Sequence, residues 1–186
     1  MYKSKLVKKV LFTQKEIENK TKEVGKQISE YYNNRPFVMI GLLKGSVPFL
    51  AQLIKSIEND YAELEFMNVS SYSGTTSTGE IKILKDLDTS VKGKEVLIIE
   101  DIIDTGITLN SVKKILLQRG AKDVKIVTML NKPARRVKKI EPEWQCFEIE
   151  DYFVIGYGLD INEKARNLPY IAICDTDAIY EVTSVK

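Results

Sequence analysis

Residues 96–109, VLIIEDIIDTGITL, constrain the fold of this chain more than any other stretch. Four apolar residues, Val96, Leu97, Ile98 and Ile99, run into two adjacent carboxylates, Glu100 and Asp101. Two more apolar residues follow, then a third carboxylate at Asp104 and the run Thr105-Gly106-Ile107-Thr108. A short unbroken apolar run bounded by turn signals is the pattern of a strand buried on both faces. Leu109, Val112 and Leu116 then recur at helical spacing before Gly120. This predicts a helix over about 105–119, capped by Thr105 and stopped by Gly120. The first turn of such a helix exposes unpaired N–H groups, and Gly106 lets the backbone approach a ligand closely. A strand, loop and helix in this order make a phosphate site. Three carboxylates beside it point to binding of a polyol or of magnesium.

The rest of the chain repeats the pattern. Thr13 and Glu16 have capping-box spacing, and Ile17, Val24, Ile28 and Tyr31 behind them fall on one helical face. That helix should stop before Asn33-Asn34-Arg35-Pro36. Residues 37–43 (FVMIGLL) read as a second buried strand, followed at once by Lys44-Gly45-Ser46 and a helix marked by Val47, Leu50, Ile54 and Ile57. Residues 63–72 alternate in part and predict a third strand. The stretch 70–79 (SSYSGTTSTG) has the composition of a mobile flap, after which Ile81 and Ile83 alternate again. Strands follow at 124–130, within 147–156 as a pair or a bent strand, and at 170–174. Asp175 is placed to cap a last helical turn. Strands alternating with helices imply a parallel α/β sheet, in which ligands bind beyond the carboxyl ends of the strands. Lys44-Gly45, residues 100–108 and Lys132 then share one edge.

Charge and composition narrow the chemistry. The 186 residues suffice for a full core in a single domain, and a net charge of +2 gives no bulk attraction to nucleic acid or membrane. One segment, 132–139, is basic, with Lys132, Arg135, Arg136, Lys138 and Lys139. It reads as a solvated irregular loop, or as a nucleic-acid contact if the protein is a nucleotide-sensing regulator. The chain has no histidine, which leaves carboxylate, Lys and Tyr for proton transfer. Cys146 and Cys174 form no CxxC motif, as expected in a reducing cytosol. No apolar stretch nears the roughly 20 residues of a spanning helix, and the N-terminus lacks the apolar region of a signal peptide. A cytoplasmic protein is expected. A P-loop is excluded by the absence of G-x-x-x-x-G-K-[ST].

The central stretch resembles the phosphoribosyl-pyrophosphate (PRPP) signature of type I phosphoribosyltransferases. Further matches resemble the hypoxanthine-guanine branch of that family: Leu43-Lys44-Gly45, Ser71-Tyr72 with the flap to Asp86-Leu87, Lys132, Phe153-Val154-Ile155-Gly156-Tyr157, Leu159-Asp160 and Arg166. Together they span about residues 40–175. The resemblance implies a central parallel sheet flanked by helices, with a core of about 37–145. A small hood would come from the N-terminal residues and about 146–186, and a flexible flap would cover the site.

The implied reaction moves a ribosyl phosphate from PRPP to the nitrogen of hypoxanthine or guanine, giving IMP or GMP and pyrophosphate. By resemblance, Glu100 and Asp101 accept hydrogen bonds from the ribose hydroxyls and join Asp160 around magnesium. Asp104, Thr105, Gly106, Ile107 and Thr108 wrap the 5′-phosphate, and Asp104 is the proton acceptor at the purine. Lys44, Gly45, Ser71, Tyr72 and Arg166 meet pyrophosphate, with a non-proline cis peptide before Lys44. Lys132 donates to the 6-oxo group, which selects 6-oxopurines over adenine. Phe153 stacks on the base and Val154 offers it backbone groups. Ile107 and Tyr152 stand where some members carry Lys. A homodimer or homotetramer is implied, with no membrane and no nucleic-acid partner.

Overall fold

The structure is a computed structural model, and its described residues are 4–71 and 81–178. Six strands form the central sheet in the order β4-β3-β2-β5-β6-β7. They are β2 (Phe37–Leu43), β3 (Ala62–Ser71), β4 (Ile81–Lys85), β5 (Glu95–Ile103), β6 (Asp123–Asn131) and β7 (Trp144–Glu148). All neighbours are parallel except the β3–β4 pair at one edge. Three helices accompany them: α1 (Gln14–Tyr32), α2 (Val47–Leu53) and α3 (Ile107–Gln118). A second, antiparallel sheet has the order β1-β9-β8, from β1 (Val7–Phe12), β8 (Val154–Ile155) and β9 (Ile171–Cys174).

The unbroken apolar run of β5 serves two cores. Leu97 and Ile99 join Ile17, Val24 and Ile28 of α1 and Phe49, Leu50 and Leu53 of α2. Val96 and Ile98 join Leu109, Val112 and Leu116 of α3 on the other face. Side chains alternate along a strand, so a strand with helices on both faces must be apolar at every position. A third core, with Leu6, Ile155, Leu168 and Tyr170, holds the small sheet.

Several local expectations shift. Thr13 does cap α1 through a capping box, and Asn33 ends it in the left-handed conformation (φ +43°). Tyr31, however, is 41% exposed, and Tyr32 takes the inward place, its ring stacked on Phe37 with centroids 3.7 Å apart. The helix after Lys44 is shorter than its apolar spacing predicts: α2 ends at Leu53 and tightens into a 3₁₀ turn over Ile54–Ser56. The segment 147–156 holds the end of β7 and all of β8, two separate strands that lie in different sheets. Strand β1, in the basic N-terminal segment, carries no period-2 apolar signal and is defined by its pairing with β9. Asp175 accepts from the Asp177 N–H at 3.2 Å in a turn, with no helix there among the described residues.

Candidate active site

Parallel order brings the carboxyl ends of β2, β3, β5 and β6 to one edge, in register at Leu43 with Asn68 and at Ile103 with Asn131. Lys44 and Gly45 leave β2 there, after a cis Leu43–Lys44 peptide as the resemblance implies. Gly45 lies against the Asp101 carboxylate so closely that a Cβ on it would sit 1.6 Å from Asp101 Oδ2. The backbone of Gly158, from the loop after β8, closes on the same point: its Cβ would stand 1.9 Å from the Gly45 carbonyl oxygen. Three segments distant in sequence therefore meet at Gly45. Ser71 ends β3, while Tyr72 and the proposed flap tip lie outside the described residues.

Glu100 and Asp101 are half-buried at the end of β5. Burial and the neighbouring Asp101 carboxylate hold Glu100 well above the ordinary carboxylate range. Burial likewise pushes Asp101 up to about 6, against the opposing hydrogen bonds of backbone N–H groups. Such carboxylates gain when a hydroxyl donor or a cation arrives.

The turn into α3 differs from its expected form by one residue. Gly106, with φ +74°, is the N-cap, and its side contributes no capping bond. Thr105 instead accepts from the Ile107 N–H through Oγ1 at 3.4 Å, and its carbonyl accepts from Val137 and Lys138 N–H at 2.9 and 3.1 Å. Glycine is needed twice over, for the positive φ and because a Cβ would lie 2.6 Å from Ile140 Cγ2. Ile107, Thr108 and Leu109 form the first turn of α3, directly after Asp104 and Thr105 in the chain. Asp104 Oδ1 is buried without a hydrogen-bond partner among the described residues, and Oδ2 is 3.6 Å from Arg135 Nη1.

The basic segment is part of this architecture. Arg136 donates to the Ile140 carbonyl, to the Ile103 carbonyl at 3.3 Å and to Asn131 Oδ1. It ties the ends of β5 and β6 together next to the turn into α3. Arg135 faces Asp104. The reading as a solvated loop cation is corrected for Arg136, which is held by three acceptors, one of them 33 residues away at Ile103; Arg135 stays 51% exposed, as that reading expects, while its guanidinium lies 3.6 Å from Asp104 Oδ2.

Lys132 is 5% exposed, its N–H bound to the Ile103 carbonyl at 3.0 Å. Its Nζ donates to the Tyr152 carbonyl at 3.0 Å and pairs with Asp151 Oδ1 at 2.6 Å. The Ile149 N–H donates to the Asn131 carbonyl, which brings the chain after β7 past Lys132 and leaves Phe153 49% exposed beside it. The Phe153 carbonyl accepts from the Cys174 N–H at 2.8 Å. In an antiparallel pair alternate residues bond outward, so Val154, opposite Ile173, turns its backbone N–H and carbonyl away from β9 along the open edge of the sheet.

On the other side, Arg166 donates to the Gly158 carbonyl at 2.7 Å and pairs with Asp160 at 2.9 Å and Glu163 at 3.1 Å. Glu163 also pairs with Lys44 at 2.8 Å. Arg166 Nε is buried without a hydrogen-bond partner among the described residues. Among the described residues no group of three or more acidic, His or Cys side chains could hold a metal by itself. The structure therefore does not gather Glu100, Asp101 and Asp160 into one metal group: Asp160 pairs with Arg166 and reaches Asp101 only through its charge. Magnesium needs just one or two protein carboxylates, with water and other oxygens completing its shell, and the half-buried Glu100 and Asp101 are donors of that kind.

Strand-end carboxylates at Glu100 and Asp101, a glycine-led helix start at Gly106 and the cations Lys44 and Arg166 thus lie around the carboxyl end of the central sheet. The chain belongs to the phosphoribosyltransferase family: residues 9–162 match the phosphoribosyl transferase domain. It is 49% identical over 176 residues to the hypoxanthine-guanine phosphoribosyltransferase of Bacillus subtilis, covering 94% of this chain and 97% of that one. The corresponding Lactococcus lactis protein is 49% identical, over 91% and 92% of the two chains. Solved structures agree. A hypoxanthine phosphoribosyltransferase from Staphylococcus aureus superposes with a TM-score of 0.90 at 46% identity, covering 93% and 94%. That of Trypanosoma cruzi gives 0.92 at 34%, covering 98% and 99%.

Proposed function

We propose that this protein is a purine-salvage transferase that moves 5-phosphoribosyl from PRPP to hypoxanthine or guanine, releasing pyrophosphate and forming IMP or GMP. The observation that carries the substrate class is the buried Lys132 ammonium beside Phe153, on the same edge as the Asp104 turn. A 6-oxo group offers the acceptor that an ammonium needs, whereas a 6-amino group offers a donor.

Glu100 and Asp101 orient the ribose. Asp104, Thr105, Gly106, Ile107 and Thr108 hold the 5′-phosphate at the positive end of α3. Lys44, Gly45 and Arg166, with Ser71 and Tyr72, receive pyrophosphate. Lys132 meets the 6-oxo group, Phe153 stacks on the ring, and the outward backbone of Val154 meets its edge. Asp104 takes the proton from the ring nitrogen that attacks the sugar, while the bond to pyrophosphate breaks. Its unpartnered buried oxygen supports that role. Asp160, Glu100 and Asp101 would hold magnesium, which when bound would supply positive charge where pyrophosphate departs. The β1-β9-β8 sheet acts as a hood over the core. Positioning and charge stabilisation carry the catalysis.

The cations of 132–139 no longer favour a nucleic-acid regulator, because Lys132, Arg135 and Arg136 are engaged within the site. Among the described residues no helix is long and apolar enough to cross a membrane, in keeping with a cytoplasmic enzyme. A homodimer or homotetramer completes the proposal.

The test is an absorbance assay with PRPP, magnesium and one base per reaction: hypoxanthine, guanine, xanthine or adenine. Nucleotide should form from hypoxanthine or guanine and not from adenine. Asp104→Asn should lower kcat by about 10²- to 10³-fold, as for loss of a general base. Turnover of adenine at a comparable rate would refute the assignment of Lys132.

A further inference from the structure

An ammonium has three N–H donors and no acceptor. For Lys132 two of the three directions are occupied, by the Tyr152 carbonyl at 3.0 Å and by Asp151 Oδ1 at 2.6 Å. The two partners differ in kind. The carbonyl belongs to the backbone that carries Phe153, so it is fixed wherever the base platform is fixed. Asp151 is a side chain, 58% exposed, set against a lysine side chain that is 6% exposed. A carboxylate at the surface thus meets a buried cation from the solvent side. The ion pair holds the Asp151 carboxyl below the ordinary carboxylate range, and Arg135 adds to the effect.

Both ends of the pair are pinned. Lys132 is held by its own N–H on the Ile103 carbonyl, and the Asp151 segment by the Ile149 N–H on the Asn131 carbonyl. A lysine head group otherwise turns freely on its four-carbon stem.

We propose that Asp151 is a positioning residue for base selection: with the Tyr152 carbonyl it takes up two donors of Lys132 and leaves one N–H aimed at the 6-position of the purine. The inference rests on the reading that Lys132 meets the 6-substituent. A head group fixed in this way presents a single donor in a single direction. Discrimination then comes from the geometry of the ion pair as well as from the charge of the lysine. Without the carboxylate the head group swings on its stem. It also remains buried with one counter-charge fewer, which weakens its alignment to the base.

The experiment compares Asp151→Asn, Asp151→Glu and Lys132→Met with the unmodified enzyme, reading KM for hypoxanthine, KM for PRPP, kcat, and kcat/KM for hypoxanthine against adenine. Because Asp151 is largely exposed it carries little packing, and thermal unfolding of each variant checks that it is folded. Asp151→Asn should raise KM for hypoxanthine about tenfold, the order of one weakened charge-assisted hydrogen bond. It should narrow the hypoxanthine-to-adenine ratio and leave KM for PRPP within about twofold. Asp151→Glu, which keeps the carboxylate, should recover part of the loss. A purely structural role would move both KM values together and is an overturning result. If Lys132→Met raises KM for hypoxanthine while Asp151→Asn changes neither that KM nor the ratio, the role of Asp151 is refuted and the reading of Lys132 stands. If Lys132→Met leaves KM for hypoxanthine unchanged, the reading of Lys132 fails and the inference falls with it.

Discussion

Replacing Gly45 with alanine separates steric from conformational control of the site. The backbone at Gly45 does not lie in the left-handed region, so alanine is allowed there by its dihedral angles. What excludes it is Asp101. The new Cβ would lie 1.6 Å from Oδ2, where ordinary contact begins at 3.4 Å, so the carboxylate or the loop must retreat by nearly 2 Å. Asp101 has a short side chain on a strand end, and its carboxylate also accepts from the Ile102 N–H at 2.8 Å, so it yields little without β5. Misplacement by about 1 Å costs roughly a hundredfold in rate, so Gly45→Ala should lower kcat/KM for PRPP by about 10²- to 10³-fold. Gly93→Ala is the counter-case. Its Cβ meets nothing within 4 Å, but φ is +75°. It should cost about 1 kcal/mol of stability and leave kcat/KM alone. Initial rates of nucleotide formation at varied PRPP, with thermal unfolding, measure both. If Gly45→Ala keeps kcat/KM within threefold, the close seating of the Lys44-Gly45 turn on Asp101 is wrong.

Three further expectations concern other parts of the molecule. Asp86 is held below the ordinary carboxylate range chiefly by Arg119, which meets it through two hydrogen bonds of 2.6 and 2.7 Å. A depressed folded-state pKa stabilises above the unfolded value and is lost as pH falls through the folded one. The stability difference between the unmodified protein and Asp86→Asn, about 0.5–1 kcal/mol for so exposed a pair, should therefore vanish in denaturant titrations carried down to pH 3 and below. Glu163 pairs with both Lys44 and Arg166, the cations proposed for pyrophosphate, so Glu163→Gln should lower KM for PRPP several-fold; a raised KM would contradict the competition. Phe49 is fully buried between α2 and the sheet, and Phe49→Ala should destabilise the fold by about 3–5 kcal/mol by calorimetry or denaturant titration.

Where the sequence was legible, one physical constraint dominated. The runs at Phe37–Leu43 and 96–99 had to be central strands because helices cover both faces, and their polar ends had to lie at the ligand edge. Glu100, Asp101 and Asp104 could be read for the same reason. The parts that resisted depend on tertiary partners. Nothing in VKKVLF marks β1 until β9 lies beside it. Tyr31 and Tyr32 are equal by composition, and the stacking of one on Phe37 decides between them. The roles of Arg135, Arg136 and Asp151 are set by Asp104, Ile103 and Lys132, which lie 19 to 33 residues away in the sequence. The one local signal for Asp151 was its place two residues before Phe153.

The two-residue strand β8 carries, on one short lever, the residues proposed for the base and leads to those proposed for pyrophosphate. Phe153 directly precedes Val154, and the turn that follows sets Gly158 against Gly45, with Arg166 donating to the Gly158 carbonyl. Beneath this lever lie Ile155, Tyr170 and Leu168, all buried in the small sheet's core. A change in that core would move Phe153–Val154 and the Gly158–Arg166 turn together. Variation among Ile155, Leu168 and Tyr170, none of which is assigned a substrate contact, should therefore move the KM values for purine and PRPP in parallel.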